Sequence, residues 1–324
     1  MGRFVNVLYF VHSQEDMDGI DAIFKLAQDS QAKLTLVDVV APVGGGRLAA
    51  FLGKDVLQLQ ELIVGARVRE LKMVADEKGH GEVEVKVLVG KPYVQVVRQV
   101  LAYGYDLVIK RAWPSAGTDR LLKSDDLHLL RKCPCPVWLD KTMKGVTEPA
   151  SKVLVPVDFD LDGGSGDDTD ELNLSIMKTA VAIAAAGFSE LHVVHVWDAP
   201  GEMMVRVWSE DAHSAGAQYV EGELSCHREA FFRFQELVAA TLGQDVLNHI
   251  RPQYHLRRGS ASDVIPRMAR EIGADLVVMG TLARTGVAGV VIGNTAEDIL
   301  DQLHCSVVAI KPPGFVSPIT LDNM

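Results

Sequence analysis

Four cysteines in 324 residues are too few for a disulfide framework in a chain this long. Cys133 and Cys135 flank Pro134, one residue short of a C-x-x-C redox motif, and read as thiols leading into a buried strand. Basic residues are outnumbered, 32 against 43 acidic ones, giving a net charge of -11. A phosphate backbone would be repelled, so nucleic acid is not an expected partner. No apolar run reaches the length that spans a bilayer. The opening, MGRFVNVLYFVHS, has an apolar run broken by Asn6 and His12 and lacks a small-residue cleavage site, so a first strand rather than a signal peptide is expected, in a cytoplasmic protein. Catalytic signatures are missing too. There is no G-x-S-x-G elbow, no G-x4-G-K-[ST] phosphate loop, and no Ser, His and acid set that suggests a nucleophile.

What is present is a repeat. Asn6 to His12 (NVLYFVH) answers to Lys152 to Asp158 (KVLVPVD), and Leu34 to Val40 answers to Leu191 to Trp197. Val87 to Gly90 sits like Leu256 to Gly259, each before a helical pattern, Tyr93 to Tyr103 and Ala261 to Ile272. Asp106 to Lys110 (DLVIK) matches Asp275 to Met279 (DLVVM), and Cys135 to Lys141 matches Cys305 to Lys311. Strands alternating with helices imply right-handed βαβ units and a parallel sheet covered on both faces. The fold class is therefore α/β, two tandem doubly wound five-stranded parallel-sheet domains. The expected boundaries are 1–143 and 150–313, with a tail over 314–324 that is extended and only partly ordered. A Gly- and Pro-containing linker runs from Thr142 to Ser151. Long helices are expected from Lys54 to Lys78 and from Glu223 to Leu242, and Gly201 to Gly222 defaults to a surface loop.

The densest stretch is Asp275 to Pro312. A buried strand stops at Gly280, and a loop punctuated by Gly286, Gly289 and Gly293 follows. Asn294-Thr295-Ala296-Glu297 then reads as a helix start with Asn294 as cap and Glu297 as its capping-box partner. A glycine-rich loop running from a strand tip to a helix N-terminus suits an anion, because free backbone N–H groups and the positive dipole end point into it.

Gly280, Ala283, Gly293 and Asn294 resemble the universal stress protein signature G-x2-G-x9-G-[ST]. G-T-x-x-R-T-G from Gly280 and I-G-N-T-A-E from Ile292 look like its tandem E-type branch. Ala283 stands where the family has a second glycine and Asn294 where it has Ser or Thr; Thr295 offers a hydroxyl one residue later. The resemblance implies adenine nucleotide alpha hydrolase-like domains in a bacterial cytoplasmic protein linked to stress survival. It also implies a site for ATP or another adenine nucleotide built from Val157, Asp158, Val196, Gly280, Ala283, Arg284, Gly293, Asn294 and Thr295. Asp158 would hold ribose or base at the tip of its strand, and Mg2+ could accompany the phosphates. The expected protein is a non-enzymatic, stress-response one with other proteins as partners, as a homodimer or compact monomer. A slow ATPase or phosphotransfer protein and a ligand-free scaffold are the alternatives.

The first half departs from this pattern. Gly280 answers to Arg111, Gly293 to Lys123, Asn294 to Ser124 and Asp158 to His12. Lys110, Arg111, Arg120 and Lys123 could hold an anion through side chains, but Asp119, Asp125 and Asp126 stand close enough in sequence to neutralise them. A solvated, internally paired loop is expected there. Asp158, Asp160, Asp162 and Gly163 open like a calcium loop, yet its twelfth position is Thr169, which supplies no carboxylate. His192 and His195, three apart on a strand, point to opposite faces and cannot share a metal ion. Lys311-Pro312 is similar to a receiver domain, but the third-strand tip, Leu256 to Gly259, lacks an acceptor aspartate.

Overall fold

The computed structural model describes residues 4–12, 16–17, 20–44, 51, 55–77, 83–112, 124–141, 150–159, 161, 166–187, 189–281 and 293–321. The chain divides into two compact units. The first contains strands β1 (Asn6–Phe10), β2 (Lys33–Val40), β3 (Glu84–Val89), β4 (Leu107–Arg111) and β5 (Val137–Asp140), with helices α1 (Ile20–Ser30), α2 (Val56–Glu77), α3 (Pro92–Tyr103) and α4 (Ser124–Lys132). The second contains β6 (Lys152–Val157), β7 (Glu190–Trp197), β8 (Gln253–Arg258), β9 (Leu276–Gly280) and β10 (Ser306–Ile310). Its helices are α5 (Gly166–Gly187), α6 (Glu202–Trp208), α7 (Ala212–Leu242), α8 (Gln244–Ile250), α9 (Ala261–Ile272) and α10 (Asn294–Gln302).

Each unit is a parallel sheet, ordered β3-β2-β1-β4-β5 in the first and β8-β7-β6-β9-β10 in the second. The central strands are apolar and buried through their middle, as strands covered on both faces must be; Val7, Leu8 and Tyr9 match Val153, Leu154 and Val155. The repeat extends to hydrogen bonds. Asp106 accepts from the N–H groups of Val5 (2.6 Å) and Asn6 (3.0 Å). Asp275 likewise accepts from Ser151 N–H (2.8 Å) and Lys152 N–H (3.1 Å). In both units, then, an aspartate entering the fourth strand ties down the start of the first. Helices α3 and α9 end alike, on Gly104 and Gly273 at φ 64° and 67°, a left-handed cap that a side chain would strain.

Two expectations need correction. The segment from Gly201 to Gly222 is not a loop: it holds α6, and α7 begins at Ala212 rather than Glu223. Its glycines mark close packing. A Cβ at Gly216 would lie 2.7 Å from Arg206 Cγ, and one at Gly201 would lie 2.7 Å from the Tyr219 hydroxyl, so α6 lies directly on α7. Asp211 caps the long helix by accepting from Ser214 N–H at 3.2 Å. The tail is also anchored. Residues 315–321 belong to the first unit, where the Ser317 hydroxyl donates to Lys132 O (2.7 Å) and Arg98 Nε donates to Thr320 O (3.2 Å). Among the described residues no helix is long and apolar enough to cross a membrane.

Candidate functional site

In an open α/β sheet, ligands bind beyond the carboxyl ends of the strands where the winding reverses. In the second unit that point lies between β6 and β9, which end at Val157 and Gly280. Pairing between these strands stops early, at Val153↔Leu276 and Leu154↔Val277. The equivalent strands of the first unit stay paired to Phe10↔Lys110. Pro156 accounts for the difference. It has no N–H to give, and because β6 remains paired with β7 as far as Val157↔His195, the side that loses its bond is the one facing β9. A proline in a central strand thus opens the tip of the sheet.

Beyond the opening, Val157 is buried, Asp158 is exposed and Phe159 is buried. The Asp158 backbone is gripped by a residue that sequence reading missed: Asn173, buried on α5, donates its amide to Asp158 O (2.6 Å) and accepts from Asp158 N–H (3.4 Å). Asp158 Oδ1 accepts from Phe159 N–H at 2.9 Å. On the β7 side Val196 is half-buried. Its neighbour His195 is fully buried and uses Nδ1 on Val157 O (3.1 Å). A carbonyl only accepts, so Nδ1 carries the proton, and in the neutral ring His195 Nε2 then accepts from His227 Nδ1 at 2.8 Å. Phe159 meets the His195 ring edge-on at 4.6 Å. His192, on the opposite face, stacks with His255 and contacts its Nε2 through Nδ1 at 3.1 Å. The two β7 histidines serve different faces, as their spacing predicts. Burial, then His192 and Arg257, hold the His255 imidazole below its ordinary value.

At the β9 tip, Gly280 is half-buried beneath α5. A Cβ there would stand 3.0 Å from Leu172 Cδ2, so this glycine also serves close helix packing. Thr281 is buried. Its N–H donates to Ile310 O (3.3 Å), its carbonyl accepts from Gly293 N–H (3.2 Å), and its hydroxyl accepts from Lys311 Nζ (2.9 Å). The lysine after the last strand therefore supports the start of the loop. The cap is not Asn294. Gly293 takes that position with extended φ and ψ of -60° and 140°, its carbonyl accepts from Glu297 N–H at 3.0 Å, and Asn294 is the first helical residue. The reason is that Gly293 N–H is already tied to Thr281, which fixes the turn one residue earlier. Among the described residues no side-chain hydrogen bond caps α10. The first-turn amides of Asn294, Thr295 and Ala296 have no acceptor within the helix, as at any helix start. Asn294 and Thr295 are exposed. Ala283 and Arg284 lie outside the described residues, as do Asp160, Asp162 and Gly163. Thr169 falls within α5. Among the described residues no group of three or more His, Cys, Asp or Glu is placed to hold a metal ion.

The corresponding corner of the first unit is filled with side chains. Lys110, where the second unit has Met279, forms a buried ion pair with Asp126, where the second unit has Ala296. Arg111, in the place of Gly280, is buried as well. Asp16 accepts from His12 N–H (2.7 Å), and its carbonyl accepts from the Tyr9 hydroxyl (2.8 Å). Burial, with the Asp16 and Asp140 carboxylates nearby, pushes that phenol far above its usual range against the opposing pull of Arg111. The expected internal pairing exists for Lys110 and Asp126, but buried rather than solvated. The stretch from 113 to 123, with Arg120 and Lys123, lies outside the described residues.

The universal stress protein family model matches this chain twice, over residues 4–141 and 150–311. Universal stress protein E of Escherichia coli K12 is 28% identical over 244 residues, spanning 74% of this chain and 72% of that protein. Universal stress protein E of Photorhabdus laumondii is 27% identical over 316 residues, 90% of this chain and 94% of that one. The crystal structure of a functionally unknown protein from Pseudomonas aeruginosa PAO1 is 25% identical and covers 95% of this chain and 93% of its own, with a TM-score of 0.64. With both halves matched, and with each sheet in the same strand order, the chain belongs to the universal stress protein family and carries two of its domains in tandem.

Proposed function

We propose that this is a non-enzymatic stress-response protein whose second domain holds an adenine nucleotide. Membership of the family supports the stress-response role. The observation that carries the nucleotide reading is the pairing of an opened sheet tip, at Pro156, with a first turn of α10 that no side chain among the described residues caps. The chemistry fits the group. The amides of Asn294, Thr295 and Ala296, with the helix dipole behind them, would take phosphate oxygens. The exposed Asp158 carboxylate would accept from ribose hydroxyls, and Val157 and Val196 would offer apolar surface and main-chain groups to the base. Gly280, Gly293, Ala283 and Arg284 would complete the loop, and Mg2+ would enter with the phosphates. The same chain would then sense nucleotide and present the result to other proteins, as a monomer or a homodimer in the cytoplasm.

Isothermal titration of the full chain with Mg2+ and ATP, or with AMP, tests this. Asp158→Ala removes one hydrogen bond to a charged group, worth about 1.5–3 kcal/mol, and should weaken binding about 10- to 150-fold. Gly293→Val should also weaken it, since the Gly293 backbone angles suit valine and the added methyl groups would crowd the helix mouth. No heat and no thermal shift at millimolar nucleotide would favour a ligand-free scaffold instead. Phosphate release lost in both variants would favour a slow ATPase.

A further inference from the structure

Helix α6 carries Met203, Met204, Val207 and Trp208 with 72, 68, 72 and 84% of their surface exposed. Residues 203 and 207, and 204 and 208, are four apart, so the four side chains form one stripe of two adjacent ridges. Such exposure on a seven-residue helix is not fraying, because the opposite side of α6 is held in place. Glu202 pairs with Arg206 at 2.6 Å and with Arg258 at the end of β8, and Arg258 also reaches Asp198 at 3.6 Å. Arg206 itself lies against Gly216 of α7. The apolar stripe is therefore presented outward by a fixed support, in a segment that follows β7 and its half-buried Val196.

We propose that α6 is the docking surface for a partner protein that offers a basic amphipathic helix. Four such side chains make an apolar patch on the order of a few hundred Å2, in the range that marks interaction sites. That suits one helix laid across it, whereas a stable dimer needs roughly 1,600 Å2 in total. Two flexible methionines beside a rigid indole adapt to varied apolar ridges. Charge selects the occupant. Glu210 and Asp211 follow the stripe after Ser209, and among the described residues no salt bridge from a cation reaches either. A second copy of this chain, at a net charge of -11, would meet the same acidic rim and be repelled, as would an anionic membrane. Lysines or arginines flanking an apolar helix face would be attracted. This inference stands apart from the nucleotide reading and survives its failure.

The test uses the full chain and two fluorescently labelled 18-residue helical peptides with the same leucine face, one with lysine and one with glutamate on the polar face, at 150 mM salt. The lysine peptide should bind, and the glutamate peptide should bind at least tenfold more weakly. The double variant Met204→Ser/Trp208→Ser should lose at least tenfold in affinity for the lysine peptide, and Glu210→Lys about threefold or more. All three side chains are exposed, so melting temperature should hold and loss of binding should not reflect unfolding. Equal binding by the double variant, or equal binding of both peptides, would overturn the proposal. So would a concentration-dependent dimer in sedimentation that the double variant abolishes, or a blue shift of Trp208 emission with neutral phosphatidylcholine vesicles. Those results would assign the stripe to a second copy or to a lipid surface.

Discussion

Transferring two residues from the second domain into the first tests whether the first site was closed by mutual compensation. Lys110 and Asp126 form an ion pair with side chains only 7 and 0% exposed. The second domain places the buried residues Met279 and Ala296 at the same positions. Removing one partner of a buried pair strands the other charge and costs about 3–5 kcal/mol, while replacing both with apolar residues is often neutral or stabilising. Lys110→Met and Asp126→Ala should each lower the melting temperature of the first domain by about 6–20 °C, at roughly 2–4 °C per kcal/mol for a domain near this size. The double variant should melt within a few degrees of the native protein, giving a coupling of about 3 kcal/mol or more. Calorimetry would measure the transitions, with the near-ultraviolet signal of Trp138, buried on β5, used to assign that of the first domain. Additive single losses, with coupling below about 0.5 kcal/mol, would refute the account.

Pro156→Val should restore an N–H to β6 and extend its pairing with β9, slowing amide exchange at Met279 and Gly280 while reducing the heat of nucleotide binding; unchanged exchange would show that the proline is not what opens the strands. Acid should weaken the second domain through His255, whose folded-state value lies below its ordinary 6.5. The unfolded chain binds the extra proton first, so this contribution is complete above 6.5 and is lost as pH falls from there through the depressed value. His255→Gln should flatten that part of the melting-temperature profile between pH 7.5 and 5.5, and an unchanged slope would count against it.

The fold was readable because the repeat is written in strand tips. The DLV runs and the apolar central strands recur at matching positions, and the apolar runs are a local consequence of parallel pairing covered on both faces. Most strand ends shift by only a residue or two from those expected, for example Lys152–Val157 against an expected end at Asp158, whereas β3 and β8 begin three residues earlier than expected, at Glu84 and Gln253. The segment from Gly201 to Gly222 defaulted to a loop, yet within it Gly216 is the point where Arg206 of α6 meets α7. At the candidate site, sequence reading misplaced the helix cap, since nothing local reveals that Gly293 N–H is drawn back to Thr281. Asn173 and His227 were missed for the same reason. Each acts on a strand tip from a helix 15 or 32 residues away, a distance at which only the folded chain brings them together. The one available signal was polarity on a buried helix face, Asn173 among Ile176, Met177 and Ala180.

The differences between the two sheet tips form a set rather than a series of independent changes. Phe10, Lys110, Arg111 and Asp126 stand where the second domain has Pro156, Met279, Gly280 and Ala296. A paired strand at Phe10 keeps β1 and β4 together to the end of β1. Filling the glycine position with Arg111 and the methionine position with Lys110 brings two cations into a corner with little water. Those charges are tolerable only beside buried carboxylates, and Asp126 and Asp140 are both buried there. Reversing any one change alone would therefore strand a charge or leave a hole, and would not reopen a site. A domain that holds no ligand is under no demand to keep bare amides at its tip, whereas it must still satisfy whatever it buries. On the proposed reading, any nucleotide dependence of this chain would therefore lie in the loops of the second domain.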